Sequence, residues 1–311
     1  MNYHEIELMS KNGQIVVQLS RNFLSYQEGQ RLPTISQFVE EYKVARGTVQ
    51  SALRYLSESG AVTLQARGHL GTYVINIDYQ RLWTISGHGA ILGLMPLPYT
   101  KRYEGMATGL YQSFCQAKIP FNLAYMRGAR HRLEMLEQGV YHFAIVSKLA
   151  VEDMMTHGKK FKIIHQFSEE SYVTEHGIIL RQGLKRLESG LKIALDESSP
   201  DQTLLTKKEC QGIEVVYVPM SYNQILSCLE TGEVDAAIWN LDELQEKNIS
   251  VHLVPLQNKE ARKFDRAGNR AVIAIDFANS YIGDIMAKLV DFSEIEKIQQ
   301  LVVGHKKIPM Y

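Results

Sequence analysis

Cysteine is scarce in this chain of 311 residues: Cys115, Cys210 and Cys228 are far apart and odd in number. No C-x-x-C pair and no Cys/His spacing suited to zinc occurs, so neither a disulfide framework nor a metal site is expected. The plain reading is reduced thiols in a cytosolic protein. Cys115, beside Phe114 in a helical stretch, reads as a buried, inert thiol. Long apolar runs are lacking too. None approaches the roughly 20 residues of a membrane span, and the first residues are polar and acidic rather than a signal peptide. A soluble, cytoplasmic protein with no membrane partner is expected. Net charge is zero, with 34 Lys and Arg against 34 Asp and Glu. That excludes a chain that binds nucleic acid over its whole surface. Catalytic signatures are missing as well: there is no G-x-S-x-G, no H-E-x-x-H and no P-loop pattern. His142, between apolar neighbours, reads as a core or edge histidine of a strand. No enzyme, no metal and no cofactor are expected.

What is present is organised around residues 32–74, LPTISQFVEEYKVARGTVQSALRYLSESGAVTLQARGHLGTYV. Val49, Ala52, Leu53 and Leu56 fall at i, i+3, i+4 and i+7, one apolar stripe at helical period. The opposite face carries Arg46, Gln50 and Arg54. A helix with one face for a core and one for hydrogen bonding suits a major-groove reader. Gly60 supplies its left-handed stop. Thr34 followed by Gln37 is a capping-box pattern, opening a helix whose buried side is Ile35, Phe38, Val39 and Tyr42. The short turn at 41–45 makes the two helices cross steeply. Residues 61–65 and 72–77 read as two strands around the Arg67-Gly68-His69 turn, whose basic tip can reach phosphate or the minor groove. Upstream, Ile15, Val16, Leu19 and Phe23 or Leu24 form the stripe of a third helix. The first 75 residues hold seven Lys and Arg against six Asp and Glu, so DNA affinity must come from local placement and from dimerisation.

These spaced anchors resemble GntR-type winged-helix transcription regulators over roughly the first quarter of the chain. The resemblance implies DNA contacts from Ser36, Arg46, Thr48, Gln50, Arg67 and Gly68; Arg54 joins them from its place on the polar face. Ser36 and Gln50 stand where that family commonly has arginine, and Ala45 where it has Ser or Thr, which removes phosphate contacts and a helix cap.

From Ala90 onward apolar runs alternate with amphipathic helices, which predicts a mostly parallel sheet covered on both faces. Residues 76–88 form a packed joint, held by Trp83 and Ile85. Two strand–helix series share an ungapped echo: LEQGVYHFAIVS at 136–147 and LETGEVDAAIWN at 229–240, identical at five of twelve positions. His176 to Arg181 and Arg270 to Asp276 are candidate crossover strands. The arrangement is similar to the type 2 periplasmic-binding-protein fold used as an effector domain. The chain as a whole resembles the YhfZ type of GntR-like regulators. The expected fold class is α/β: a winged helix-turn-helix domain at 1–78 and a two-lobed α/β domain at 79–311. Lobe one would be about 88–170 with 265–311, and lobe two about 180–262.

Ligands of open sheets bind beyond the carboxyl ends of strands. That rule selects Pro98, Tyr99, Ser147, Lys148, Ser198, Ser199, Asn240 and Asp242 as effector contacts. The free N–H groups at 199–202 favour an anion. Lys101 and Arg102 in a first helical turn would be relieved by a bound carboxylate or phosphate. Asp196, Glu197 and Asp201 argue for an amine or for simple capping. An anionic or zwitterionic small polar metabolite is the favoured effector. The expected protein is a homodimeric regulator of a double-stranded DNA operator, controlled by that effector. Two other readings stay open: a winged-helix protein-docking or RNA-binding module with a solute-binding domain, and an enzyme on the two-lobed fold.

Overall fold

The computed structural model describes residues 9–246 and 249–311; the polar, acidic opening of the chain lies outside them. The chain forms two compact units. One holds the residues up to Ile91 with Phe114–Phe121 and Tyr281–Val290; the other holds Leu92–Ser113, Asn122–Ser280 and Asp291–Tyr311.

The first unit begins with helix α1 (Lys11–Phe23), which buries Ile15, Val17, Leu19 and Phe23. The stripe expected through Val16 turns instead through Val17. The reason is that α1 packs against two helices at once, α3 and α4 below, so its buried arc is wider than one stripe. Helix α2 (Ile35–Tyr42) opens with the capping box: Gln37 N donates to Thr34 Oγ1 at 3.3 Å and Thr34 N to Gln37 Oε1 at 2.7 Å. Its fully buried anchor is Phe38, stacked on Tyr42; Asn22 Nδ2 donates to Tyr42 Oη at 2.9 Å and ties α2 to α1. Helix α3 (Arg46–Glu58) buries Val49, Ala52 and Leu56, while Leu53 is half-buried. Ala45 at its N-cap makes no side-chain bond. Strands β1 (Val62–Ala66) and β2 (Thr72–Ile77) pair antiparallel from Val62↔Ile77 to Ala66↔Thr72. Residues 29–32 add to the outer side of β2, with Gly29 N on Val74 O and Leu32 N on Thr72 O, both at 2.8 Å. The joint after the wing is helix α4 (Tyr79–Ser86), capped by Asp78 and burying Leu82 and Trp83.

The elements that follow are β3 (Ile91–Met95), α5 (Lys101–Gln116), β4 (Phe121–Tyr125), α6 (Ala129–Glu137), β5 (Phe143–Ser147), α7 (Lys148–Thr156) and β6 (Phe161–Gln166). Next come β7 (His176–Leu180), β8 (Lys192–Leu195), α8 (Pro200–Glu209), β9 (Val216–Pro219), α9 (Tyr222–Thr231), β10 (Ala236–Asn240) and α10 (Leu241–Glu246). The last are β11 (His252–Pro255), α11 (Lys259–Gly268), β12 (Ala271–Asp276), α12 (Ser280–Leu289) and α13 (Phe292–Val303). The strands make two five-stranded sheets, ordered β4-β3-β5-β12-β6 and β9-β8-β10-β7-β11. Each sheet is the core of one lobe, and the two orders correspond strand for strand.

The sheets are mixed rather than mostly parallel. Pairs β3–β5, β8–β10 and β8–β9 are parallel. The fourth strand of each sheet, β12 or β7, arrives from the other lobe and runs antiparallel to both its neighbours. A chain that crosses from lobe to lobe and back enters each sheet from the opposite end, which reverses that strand. Burial on both faces is what made the central strands read as apolar runs: in β10, Ala236 and Ile238 pack on one side, Ala237 and Trp239 on the other.

The internal echo has a physical origin. Strands β5 and β10 hold the same place in the two sheets. Leu136 and Leu229 are both buried anchors of the preceding helix. Gly139 and Gly232 both follow that helix with φ of +69° and +78°, where a Cβ would be strained. Cys115 is exposed, not buried as expected: it sits in the last turn of α5, beside the buried Phe114 but turned away from it. Cys210 is the buried thiol, and burial pushes its pKa up to about 11. No described helix is long and apolar enough to cross a membrane.

Candidate functional site

Two polar surfaces stand out, one in each unit. In the first unit, Arg46, Gln50 and Arg54 all lie exposed on α3, four residues apart, opposite the buried Val49, Ala52 and Leu56. Ser36 is exposed at the start of α2, and Thr48 is half-buried. At the wing tip Arg67 is exposed, its guanidinium 4.6 Å above the Tyr73 ring and its Nε on Gln65 Oε1 at 2.9 Å. Those contacts hold the charge in place at little further entropic cost. Gly68 sits in the turn with φ +56°.

In the second unit a cavity of about 100 Å³ lies between the two lobes. Lobe one contributes Pro96, Leu97 and Tyr99 after β3, Tyr103 of α5, and Arg127, Gly128 and Arg132 at α6. Lobe two contributes His176, Asp196, Ser199, Asp201, Gln202, Tyr222, Ile238, Asn240 and Glu243. The lobes meet around it. Ser147 Oγ, which also caps α7 through Ala150 N, donates to Asp201 Oδ1 at 2.6 Å and Oδ2 at 2.8 Å. Arg130 N donates to Ser198 O at 3.1 Å and Arg130 Nε to Glu197 O at 3.2 Å. Gly128, at φ +78°, packs so closely that a Cβ there would lie 2.6 Å from Ser198 Oγ. Arg102 pairs with Asp242 at 3.4 Å and donates to Thr174 Oγ1 at 2.8 Å.

The cavity wall carries both signs of charge. Arg132 is 2% exposed. Its Nε donates to Ile145 O at 3.2 Å, Nη1 to Met126 O at 2.7 Å and Nη2 to Tyr172 Oη at 2.8 Å. Among the described residues no carboxylate pairs with it. Asp201, whose carboxyl feels this charge, stands beyond ion-pair distance, so the cost of burying the guanidinium is only partly offset. His176 Nδ1 bonds Asp265 Oδ1 at 2.7 Å. Burial opposes charging this ring, but the Asp265 bond and charge, with those of Asp201 and Asp242, outweigh it and raise its pKa. Burial pushes the Asp201 carboxyl up, against the opposing pull of Ser147, His176 and Arg132. Asp196 accepts from Ser198 N at 3.0 Å, Ser198 Oγ at 2.6 Å and Tyr222 N at 3.0 Å. No cluster of three or more His, Cys, Asp or Glu side chains suited to a metal exists among the described residues.

Of the effector contacts read from sequence, Tyr99, Ser199 and Asn240 line the cavity. Ser147, Ser198 and Asp242 lie beside it, each engaged in contacts that close the lobes or shape the loops. Pro98 and Lys148 are not on the wall; Lys148 pairs with Glu152 at 3.7 Å. The anion expected at the start of α5 comes from the chain itself: Lys101 N donates to Glu246 Oε2 at 2.8 Å and Oε1 at 3.0 Å. Arg127, Arg132, His176, Asp201, Tyr222 and Glu243 were missed. A signal for Arg132 was present, because Ala129, Arg132, Leu133 and Leu136 share the buried stripe of α6. A charged residue in such a stripe must meet a polar partner.

A helix-turn-helix unit joined to a two-lobed α/β domain of this topology defines the class. A helix-turn-helix domain model matches residues 27–74, and the YhfZ C-terminal domain model matches residues 78–311. The chain is 34% identical over 304 residues to YhfZ of Escherichia coli (strain K12), covering 97% of this chain and 98% of that protein. The crystal structure of YhfZ from Shigella flexneri is 32% identical, with a TM-score of 0.62 over 75% of this chain and 97% of that one. The chain therefore belongs to the YhfZ family. The periplasmic aliphatic sulphonate binding protein SsuA from Escherichia coli shares the fold at 11% identity, with a TM-score of 0.52 over 70% of this chain and 75% of that one.

Proposed function

We propose that this chain is a cytoplasmic, homodimeric transcription regulator of GntR-like type, without enzymatic activity. Its helix α3 and wing read a double-stranded DNA operator, and its interlobe cavity binds a small polar effector. The division of labour falls near residue 78. The observation that carries the reading is the polar face of α3. Three long donor side chains, Arg46, Gln50 and Arg54, stand exposed along one line, with Arg67 poised at a wing tip. In a groove reader such side chains reach base edges while Ser36, Thr48 and the wing touch the backbone.

The effector acts by linkage. A molecule that binds the closed lobes better than the open ones shifts their balance, and only that difference can change operator affinity. Tyr99, Ser199 and Asn240 contact it, with Ser147, Ser198 and Asp242 shaping or closing the site. The test is selection of bound DNA from a random pool with full-length protein. A palindromic consensus, bound by two copies, is the expected result; no enrichment over the starting pool overturns the reading.

A further inference from the structure

The cavity's acids are engaged by protein donors, while Arg132 and His176 keep hydrogen-bonding capacity that the described residues do not use. Asp196 accepts from Ser198 and the Tyr222 amide, Asp201 accepts from Ser147, and Glu243 is hydrogen-bonded with Tyr222. Arg132 offers five N–H bonds and spends three on two carbonyls and one hydroxyl. His176 spends Nδ1 on Asp265, and its ring lines the cavity with Nε2 as the second nitrogen. We infer that the cavity takes a compact carboxylate held by the unspent donors of Arg132, from lobe one, and by His176 Nε2, from lobe two. The inference rests on the effector reading above and names the chemistry of that site.

Three observations support it. Arg132 is buried with no carboxylate within ion-pair distance among the described residues, Asp201 acting on it only from further off, and a bound anion supplies the direct partner. His176 Nδ1 is taken by Asp265 at 2.7 Å, which leaves Nε2 as the ring atom open to a ligand, and the Asp265 carboxylate favours the charged ring, in which Nε2 donates. The volume of about 100 Å³ is smaller than the roughly 150 Å³ of a cavity that admits benzene, which limits the molecule to a few heavy atoms beyond the carboxylate. A phosphate dianion fits less well, because Asp196, Asp201 and Glu243 share the same wall. A ligand gripped from both lobes binds the closed form better than the open one, as regulation requires.

The test uses full-length protein, calorimetry and thermal shift with L-lactate, pyruvate and L-alanine, against lactamide, ethylamine and inorganic phosphate. Saturable binding by at least one carboxylate and none by its uncharged or cationic counterpart is expected. His176→Gln should weaken it about tenfold or more, as loss of a hydrogen bond to a charged group does. Arg132→Lys should do the same; should that variant not fold, His176→Gln decides alone. Binding confined to ethylamine, lactamide or phosphate, no binding by any probe, or an undiminished His176→Gln variant overturns the inference. The two readings fail separately. A carboxylate that binds without altering affinity for the selected DNA sinks the regulatory reading only, whereas an amine that binds and alters it sinks this inference only.

Discussion

Adding one methyl group at Gly128 should hold the two lobes apart. The Cβ of an alanine there would lie 2.6 Å from Ser198 Oγ, 2.8 Å from Ser198 Cβ and 3.0 Å from Ser198 O. Ordinary contact begins near 3.4 Å, so a gap must open between α6 and the loop after β8. Two costs separate cleanly. The φ of +78° with ψ of +116°, outside the left-handed helical well, penalises alanine by about 1–3 kcal/mol whether the lobes are open or closed, and appears as lost global stability. The overlap exists only on closure. Overpacking of this kind costs about 1–3 kcal/mol, which shifts the closed-to-open ratio roughly 5- to 150-fold. Small-angle scattering of Gly128→Ala should give a larger radius of gyration than wild type, and urea melts should give the stability loss. Ser198→Gly removes both side-chain atoms in the clash. Adding it to Gly128→Ala should restore most of the closure while leaving the φ penalty in the melts. A Gly128→Ala protein as compact as wild type, or no restoration by Ser198→Gly, refutes the overlap.

Four further outcomes follow from other parts of the molecule. Ala45→Ser gives α3 the side-chain cap it lacks and should stabilise the protein by about 0.5–1 kcal/mol in urea melts; an unchanged midpoint argues against that boundary. Arg46→Ala should cost roughly 1–3 kcal/mol of specific DNA binding by fluorescence anisotropy and relax preference at one position. Arg67→Ala should instead weaken binding evenly across sequences and lower the slope of log K against log salt by about one; a sequence-selective loss would reassign it to a base contact. Because the folded pKa of His176 lies above the usual 6.5, its stabilisation is complete below about pH 6.5. It is lost as pH rises through the raised value. Urea midpoints of wild type should therefore fall relative to His176→Gln on going from pH 6 to 9; parallel profiles dismiss the effect.

Local physics was legible in the chain and long-range pairing was not. The capping box at Thr34 and Gln37, the polar face of α3 and the glycine after each echoed helix depend on residues a few positions apart, and each can be read by spacing. The cavity depends on partners far apart in sequence. Asp265 meets His176 from 89 residues away, Ser147 meets Asp201 from 54, and Glu246 caps α5 from 145. The strand-end rule found Tyr99, Ser199 and Asn240, since these follow directly from where strands stop. It had no means of selecting Arg132 or His176, whose positions come from a helix face and from a strand that crosses between lobes. The two crossover strands, at 176–181 and 270–276, were legible as such, but the reversal that follows was not: a strand entering from the other lobe runs antiparallel to both neighbours and makes the sheets mixed.

The contacts that close the lobes are themselves suited to a switch. Ser147 on Asp201, Arg130 on Ser198 and Glu197, and Lys101 on Glu246 are hydrogen bonds between polar groups. Opening exchanges each for water, so each contributes only about 0.5–1.5 kcal/mol net, rising to about 3 where a charge takes part. An apolar seam such as that between Ile225, Leu229 and Trp239 inside lobe two would hold far more firmly. Together with the buried Arg102–Asp242 pair, these bonds set how far a closed state lies below an open one, and a ligand held between the lobes adds to the same balance. Linkage then sets a strict condition on the regulatory reading. If the effector changes DNA affinity by some factor, the DNA must change effector affinity by the same factor. Titrating the effector with and without saturating DNA, and the DNA with and without effector, must return one number; two different numbers mean that the cavity and the α3 face are not coupled through a shared pair of states.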